Sequence, residues 1–130
     1  MGQGFIDRYN FLHFASGIIA NFRNWDRIQW FLVHFAFEMV ENSAIGMSII
    51  NSLPFWPGGK RQADSWVNIL GDNLFAVLGH WFATYAPYMI MGYIVSDPNT
   101  KSGLYRLFHS LLRAMAVFTA VLAIIIMLIT

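Results

Sequence analysis

Charged and polar residues recur at helical spacing inside segments otherwise apolar enough to enter a bilayer, and this pairing constrains the fold most. His34, Glu38, Glu41 and Asn42 interrupt one apolar segment, and Asp64, Asn68, Asp72 and His80 recur along another. A carboxylate placed in hydrocarbon costs at least ~2.5–3.5 kcal/mol on insertion scales. Two segments that carry this cost with helical periodicity imply a polar cluster held between helices.

The rest of the chain fits a bilayer as its solvent. Only 12% of its 130 residues are charged and 57% are hydrophobic. That is about half the charged fraction of a soluble domain, at a length suited to a single domain. The net charge is +1, and no run of like charge exceeds Lys60–Arg61. Nucleic acid, which needs a basic face to neutralise phosphates, is therefore excluded as a partner. With no cysteine, disulfides, zinc knuckles and thiol catalysis are excluded too. Asp7 and Arg8 lead into an aromatic stretch without a small-residue cleavage pattern, so residue 1 is read as the start of the mature protein.

Four apolar segments follow, at about 9–22, 25–42, 65–95 and 104–129. A hydrocarbon core of ~30 Å needs about 20 helical residues. The fourth segment, ending in AMAVFTAVLAIIIMLI, is the strongest span; the first two are short and suit a helical hairpin. The third is overlong, and a kink or a division is expected at Pro87, which removes a helix hydrogen bond and crowds the preceding turn. Asn21–Arg27, Leu53–Ala63 and Ser96–Gly103 read as loops, with a tight turn at Trp56-Pro57-Gly58-Gly59 and Ser102 as a cap. Ala44–Ser52 either extends the second helix or lies along the interface. Trp25, Trp56, Trp66, Tyr88, Tyr93 and Tyr105 fall near segment ends, where amphipathic rings favour headgroups. Arg8, Lys60 and Arg61 on one side oppose Arg23, Arg27, Lys101 and Arg106 on the other, which sets no orientation. The expected fold is all-α: a polytopic transmembrane helical bundle of about four spans, forming one integral membrane domain over residues 1–130.

Residues three and four apart share a helix face. His13, Ser16, Gly17 and Asn21 therefore form a stripe on the first segment, matching His34, Glu38, Glu41 and Asn42 on the second and Asp64, Asn68, Asp72 and His80 on the third. Asp64, after a turn, reads first as a helix N-cap. Asn42 and Asn68 suit interhelical hydrogen bonds, as do His13, His34 and His80. Arg106, His109 and Arg113 suit anchoring at the interface. Glu38, Glu41 and Asp72 have no such simple role. A carboxylate at membrane depth must be protonated, paired or metal-bound, and no lysine or arginine lies between Ile28 and Gly59. The histidines, Arg113, or a bound ion or substrate are their candidate partners.

Three chemistries fit this cluster. His34, Glu38, Asp72 and His80 form a mixed nitrogen–oxygen set suited to zinc, manganese or iron, so a divalent metal is the cofactor to consider. No His-Glu-x-x-His or Glu-x-x-His pattern supports it. Alternatively, Glu41 and Asp72 act as general acid and base on a lipid-borne group. The third is a register-fixing cluster without chemistry. Gly71, Ala76, Gly79 and Ala83 favour close approach of another helix near Asp72.

The arrangement resembles the VanZ-like family of small bacterial membrane proteins over about residues 5–85. The likeness lies in Asp7-Arg8-Tyr9 with His13 and Gly17 following, then Phe37-Glu38-Met39-Val40-Glu41-Asn42-Ser43. It continues in Asp64-Ser65-Trp66-Val67-Asn68-Ile69-Leu70-Gly71-Asp72 and Leu78-Gly79. The loop Leu53–Arg61 departs from the family pattern. The resemblance implies that Glu38, Glu41, Asn42, Asp64, Asn68 and Asp72 are shared polar positions, and the named member is linked to glycopeptide resistance. The expected function is an interhelical acidic site that binds or acts on an amphipathic or lipid-linked substrate. In it, Glu41 and Asp72 carry protons, Glu38 and His34 bind a polar group or metal, and Asn42 and Asn68 orient them. The alternative is a non-catalytic accessory or structural subunit of a larger membrane assembly, with other membrane proteins as partners.

Overall fold

The computed structural model describes residues 2–54 and 59–94, the last seven of these as backbone alone, together with 103–108, 110, 111, 114, 117, 118, 121 and 125. Among the described residues the elements run, in order, α1 (Asn10–Phe22), α2 (Arg27–Glu41), α3 (Ala44–Ser52) and α4 (Trp66–Ile94), and 103–108 are also helical. No strand occurs among the described residues, and the fold is an all-α bundle. The fourth segment expected from the sequence, the turn at Trp56-Pro57-Gly58, the cap at Ser102 and the anchor at His109 and Arg113 lie wholly or largely outside the described residues.

Local chemistry fixes the helix ends. α1 stops in a Schellman arrangement: Asn24 takes φ 60°, Trp25 N–H donates to the Ala20 carbonyl at 3.1 Å, and Asn24 N–H donates to Asn21 at 3.0 Å. Asparagine tolerates the left-handed conformation that this stop requires. α2 opens with a capping box, in which Asp26 accepts from Ile28 and Gln29 amides while the Gln29 side chain accepts from the Asp26 amide. Ser43 caps α3 by accepting from Gly46 N–H at 3.0 Å, so Ala44–Ser52 is a separate helix and not an extension of α2. At the head of α4 the cap is Ser65, whose Oγ accepts from Asn68 N–H at 3.2 Å. The capping role expected for Asp64 is thus filled one residue later, and Asp64 is left to pair with Lys60.

α4 is the spine. It packs most extensively against α1 and less against α2, while α3 packs only against α2 among these four elements. The α1–α4 seam is close because small residues line it. Ala15, Ala76, Ala83 and Ala86 are all buried, and a side chain at Gly17 would strike the Ala76 carbonyl while one at Gly79 would strike that of Phe14. Ile18 and Ala83 form the buried apolar cluster, flanked by Phe14, Phe22 and Phe82.

α4 continues through Pro87 as one helix, so the proline does not divide the segment, and the residue is fully buried. Among the described residues no helix is long and apolar enough to cross a membrane. α1 and α2, with 13 and 15 residues, rise only about 20 Å at 1.5 Å per residue. α4 has the length, with 29 residues, but Asn68, Asp72, Asn73 and His80 dilute its hydropathy.

Candidate functional site

The polar stripes converge where α1, α2 and the first half of α4 meet. Buried there are Asn10, His34, Glu38, Asn68, Asp72 and Asn73, none more than 4% exposed. α1 and α2 bring two imidazoles edge to edge, with His13 Nδ1 2.9 Å from His34 Nε2. Asn73 sets the proton positions. Its Nδ2 donates to the Ile69 carbonyl at 2.8 Å, so its Oδ1 faces His34 Nδ1 at 3.2 Å, and that nitrogen bears the hydrogen.

Glu38, one turn along α2 from His34, points Oε1 at the same pair, 3.5 Å from His13 Nδ1 and 3.9 Å from His34 Nε2. No hydrogen-bond donor among the described residues meets that oxygen, although Glu38 is 1% exposed. Across the His13 ring, Nε2 lies 3.6 Å from Asp72 Oδ1, which accepts from Asn10 Nδ2 at 2.9 Å. Two carboxylates from different helices therefore flank one histidine. Trp30 closes the far side, with its ring against His34 and its Nε1–H donating to the Ala76 carbonyl.

A second, charged group forms the rim. Lys60 donates to Glu41 Oε1 at 2.9 Å and also pairs with Asp64. Burial pulls the Lys60 pKa down, but the bonds to Asp64 and Glu41 outweigh it and hold the ammonium above the ordinary lysine value. Asn42 ties rim to interior: its Nδ2 donates to the Glu38 backbone carbonyl at 2.9 Å, and its Oδ1 accepts from Asp64 N–H at 2.6 Å.

Between the two groups lies a cavity of about 480 Å³. The N-terminal segment folds back to complete it. Ser65 N–H donates to the Gly2 carbonyl at 2.7 Å, and Asn68 Nδ2 donates to Gly4 at 2.8 Å and reaches Asp7 Oδ2 at 3.2 Å. Its wall mixes charges of both signs, Glu38, Glu41, Asp64 and Asp72 with Lys60 and Arg61, so it suits a polar and zwitterionic guest.

His13, Glu38, Glu41, Asp64, Asn68 and Asp72 all line this cavity. His34 stands behind His13, and Asn42 acts from behind Glu38. His80 stands apart, with Nε2 2.8 Å from the Trp25 carbonyl at the α1–α2 turn. The set His34, Glu38, Asp72 and His80 is therefore not assembled as a unit. Among the described residues, those whose ligand atoms do lie close enough to share an ion are His13, His34 and Glu38.

Four participants are not among the site residues singled out from the sequence: Asp7, Asn10, Lys60 and Asn73. Asn10 precedes His13 by three residues, and extending that stripe one turn back exposes it. Asn73 sits beside Asp72 but off its four-residue stripe, on the face turned to α2. Lys60 carries no local signal, because a loop fold-back brings it to Glu41. Compared with protein-family models, curated proteins and solved structures, the chain matches none.

Proposed function

We propose that the chain is a small membrane-embedded helical protein of VanZ-like type whose interhelical cavity receives the polar headgroup of an amphipathic, lipid-linked molecule. One observation carries this reading: the bundle buries charged and amide side chains and turns large apolar ones outward. Its interior holds Glu38, Asp72, His34 and three asparagines at 4% exposure or less, while Ile28, Leu32, Val40, Ile45, Val67 and Leu70 are all more than half exposed. Water favours the opposite arrangement, and exposed apolar faces of this extent mark contact with lipid or protein. In lipid, carboxylates turn inward to partners, as these do.

In this reading the α1–α2 hairpin, about 20 Å long, crosses a locally thinned bilayer against the longer α4, with the cavity near one headgroup level and the α1–α2 turn near the other. Trp66, 67% exposed at the head of α4, suits the first level, and Trp25, 42% exposed at the turn, suits the second. Lys60 and Arg61 meet anionic groups of the guest, and Glu41 and Asp64 meet cationic or hydroxyl groups. His13 and Asp72 hold the adjacent atoms at which a proton moves.

The tests are extraction and ligand retention. The protein should stay with membranes through alkaline carbonate and leave only with detergent; release by carbonate removes the membrane reading. Native mass spectrometry of the detergent-purified chain should show a retained amphiphile that is lost from Glu38→Gln and Lys60→Met. Unchanged retention in both removes the site. The accessory-subunit reading draws on α3, which among α1–α4 packs only against α2 and which exposes Ile45 and Ile49. It predicts a stoichiometric partner chain through mild purification.

A further inference from the structure

We propose that His13, His34 and Glu38 form a three-ligand site for a divalent first-row metal, of which zinc is the type. The proposal does not depend on the bundle lying in lipid or on what the cavity admits.

The separations carry it. His13 Nδ1, His34 Nε2 and Glu38 Oε1 are 2.9, 3.5 and 3.9 Å from one another. A point equidistant from three atoms so spaced lies about 2.0 Å from each, the length of a zinc–nitrogen or zinc–oxygen bond. The donors are two imidazoles and one carboxylate, a set that suits zinc or iron(II) and leaves coordination positions open. His34 and Glu38 sit one turn apart on α2 and converge on a ligand from α1, so helix packing presets the geometry.

An independent observation is the Glu38 carboxylate. Its side chain is 1% exposed, and Oε1 meets no hydrogen-bond donor among the described residues. Leaving an ionised carboxylate oxygen buried without a donor is costly. As a hydrogen bond alone, the contact between the histidines answers neither end of the network. His34 Nδ1 bears a hydrogen toward Asn73, so neutral His34 offers Nε2 as acceptor, and His13 Nδ1 must donate to it. With Asp72 ionised, neutral His13 then turns a bare Nε2 toward Asp72 Oδ1, acceptor against acceptor. A metal on His13 Nδ1 and His34 Nε2 removes both conflicts. Glu38 Oε1 gains its partner, and the hydrogen of His13 moves to Nε2, facing Asp72.

The outer contacts are those a metal site requires. A ligating histidine usually donates its other N–H to a carboxylate or carbonyl, which fixes its tautomer. His13 has Asp72, itself held by Asn10, and His34 has Asn73, itself held by the Ile69 carbonyl. His13 and Glu38 stand in the cavity wall, so the open coordination positions are reachable from the cavity.

The test is titration of the purified, metal-stripped full chain in detergent with Co²⁺ and then Zn²⁺. One Co²⁺ per chain should bind with visible absorption, and Zn²⁺ should displace it. Glu38→Gln, which keeps the side-chain shape, should weaken Zn²⁺ binding at least 100-fold, and Asp72→Asn should weaken it roughly 10- to 100-fold. Asp26→Asn, at the exposed start of α2, should change nothing. Should the Glu38 variant fail to fold, imidazole nitrogen resonances of the parent decide: Zn²⁺ must shift His13 Nδ1 and His34 Nε2 and leave His80 unmoved. Absence of saturable binding, equal binding in parent and a folded Glu38→Gln, or shifts confined to other histidines overturns the proposal.

Discussion

Lys60 shows what a loop can bring to a helix that the helix's own sequence does not contain. Its ammonium lies between Glu41 and Asp64, with the Lys60 side chain 11% exposed and each carboxylate side chain 14% exposed. Lys60→Met leaves two half-buried carboxylates without their cation, and breaking such a pair from one side costs about 3 kcal/mol. Thermal unfolding in detergent should show the loss, and an unchanged melting temperature would mean that the pairs are solvent-screened. The pH dependence follows from the raised pKa of Lys60. Its contribution is complete below the ordinary value of 10.5 and disappears as pH climbs through the higher folded value. The gap between parent and variant should therefore hold steady from neutral pH to about 10 and close above it; a gap that widens there contradicts the assignment. Residue by residue, the acids and the histidines beside them were legible, and their asparagine and lysine partners were not. Glu38 and Asp72 stand out as charges in apolar helices, whereas Asn73 and Lys60 look ordinary until packing shows what they face.

At the scale of elements, the α1–α4 seam depends on the lack of side chains at two crossing points. Gly17 abuts the Ala76 carbonyl, and the Ala76 backbone cannot yield without moving α4. Gly17→Val should lower stability by roughly 1–3 kcal/mol through overpacking. Gly4→Val, whose nearest neighbour is a backbone oxygen at 3.5 Å, should cost far less. Equal melting temperatures for the two would show that the helices are not in contact there. The start of α4 offers a second test. Ser65→Ala removes the acceptor for Asn68 N–H and should cost about 1 kcal/mol, read in the same melts. Helix positions followed from apolar periodicity, and α1 and α2 lie within a residue or two of the segments drawn from it. Two local signals were outvoted. Asp64 precedes α4 as a cap would, yet the ion pair with Lys60 holds it and the neighbouring hydroxyl caps the helix. Pro87 can divide a helix, yet α4 continues through it with the residue buried.

At the scale of the whole molecule, the question is what solvent the outward faces meet, and one helix can answer it. Ile28 and Leu32 lie one turn apart on α2, 69% and 58% exposed, so neither can be judged by internal packing. In water, a lysine at either place is a surface substitution worth within about 0.5 kcal/mol. In a bilayer the two positions differ. Ile28 is in the first turn, where a lysine stem can carry its charge to the headgroups. Leu32 is deeper, where lysine costs about 2.5–3.5 kcal/mol against a residue that favours hydrocarbon. Leu32→Lys should therefore shift the protein out of the carbonate-resistant membrane fraction, with Ile28→Lys closer to the parent. Both purified variants should bind Zn²⁺ like the parent, because neither side chain faces the histidines. Depth-graded loss of membrane retention with the site intact is the pattern that a lipid-facing bundle produces. If both lysines are tolerated equally, the apolar faces of α2 meet something other than lipid, and a partner protein becomes the better occupant.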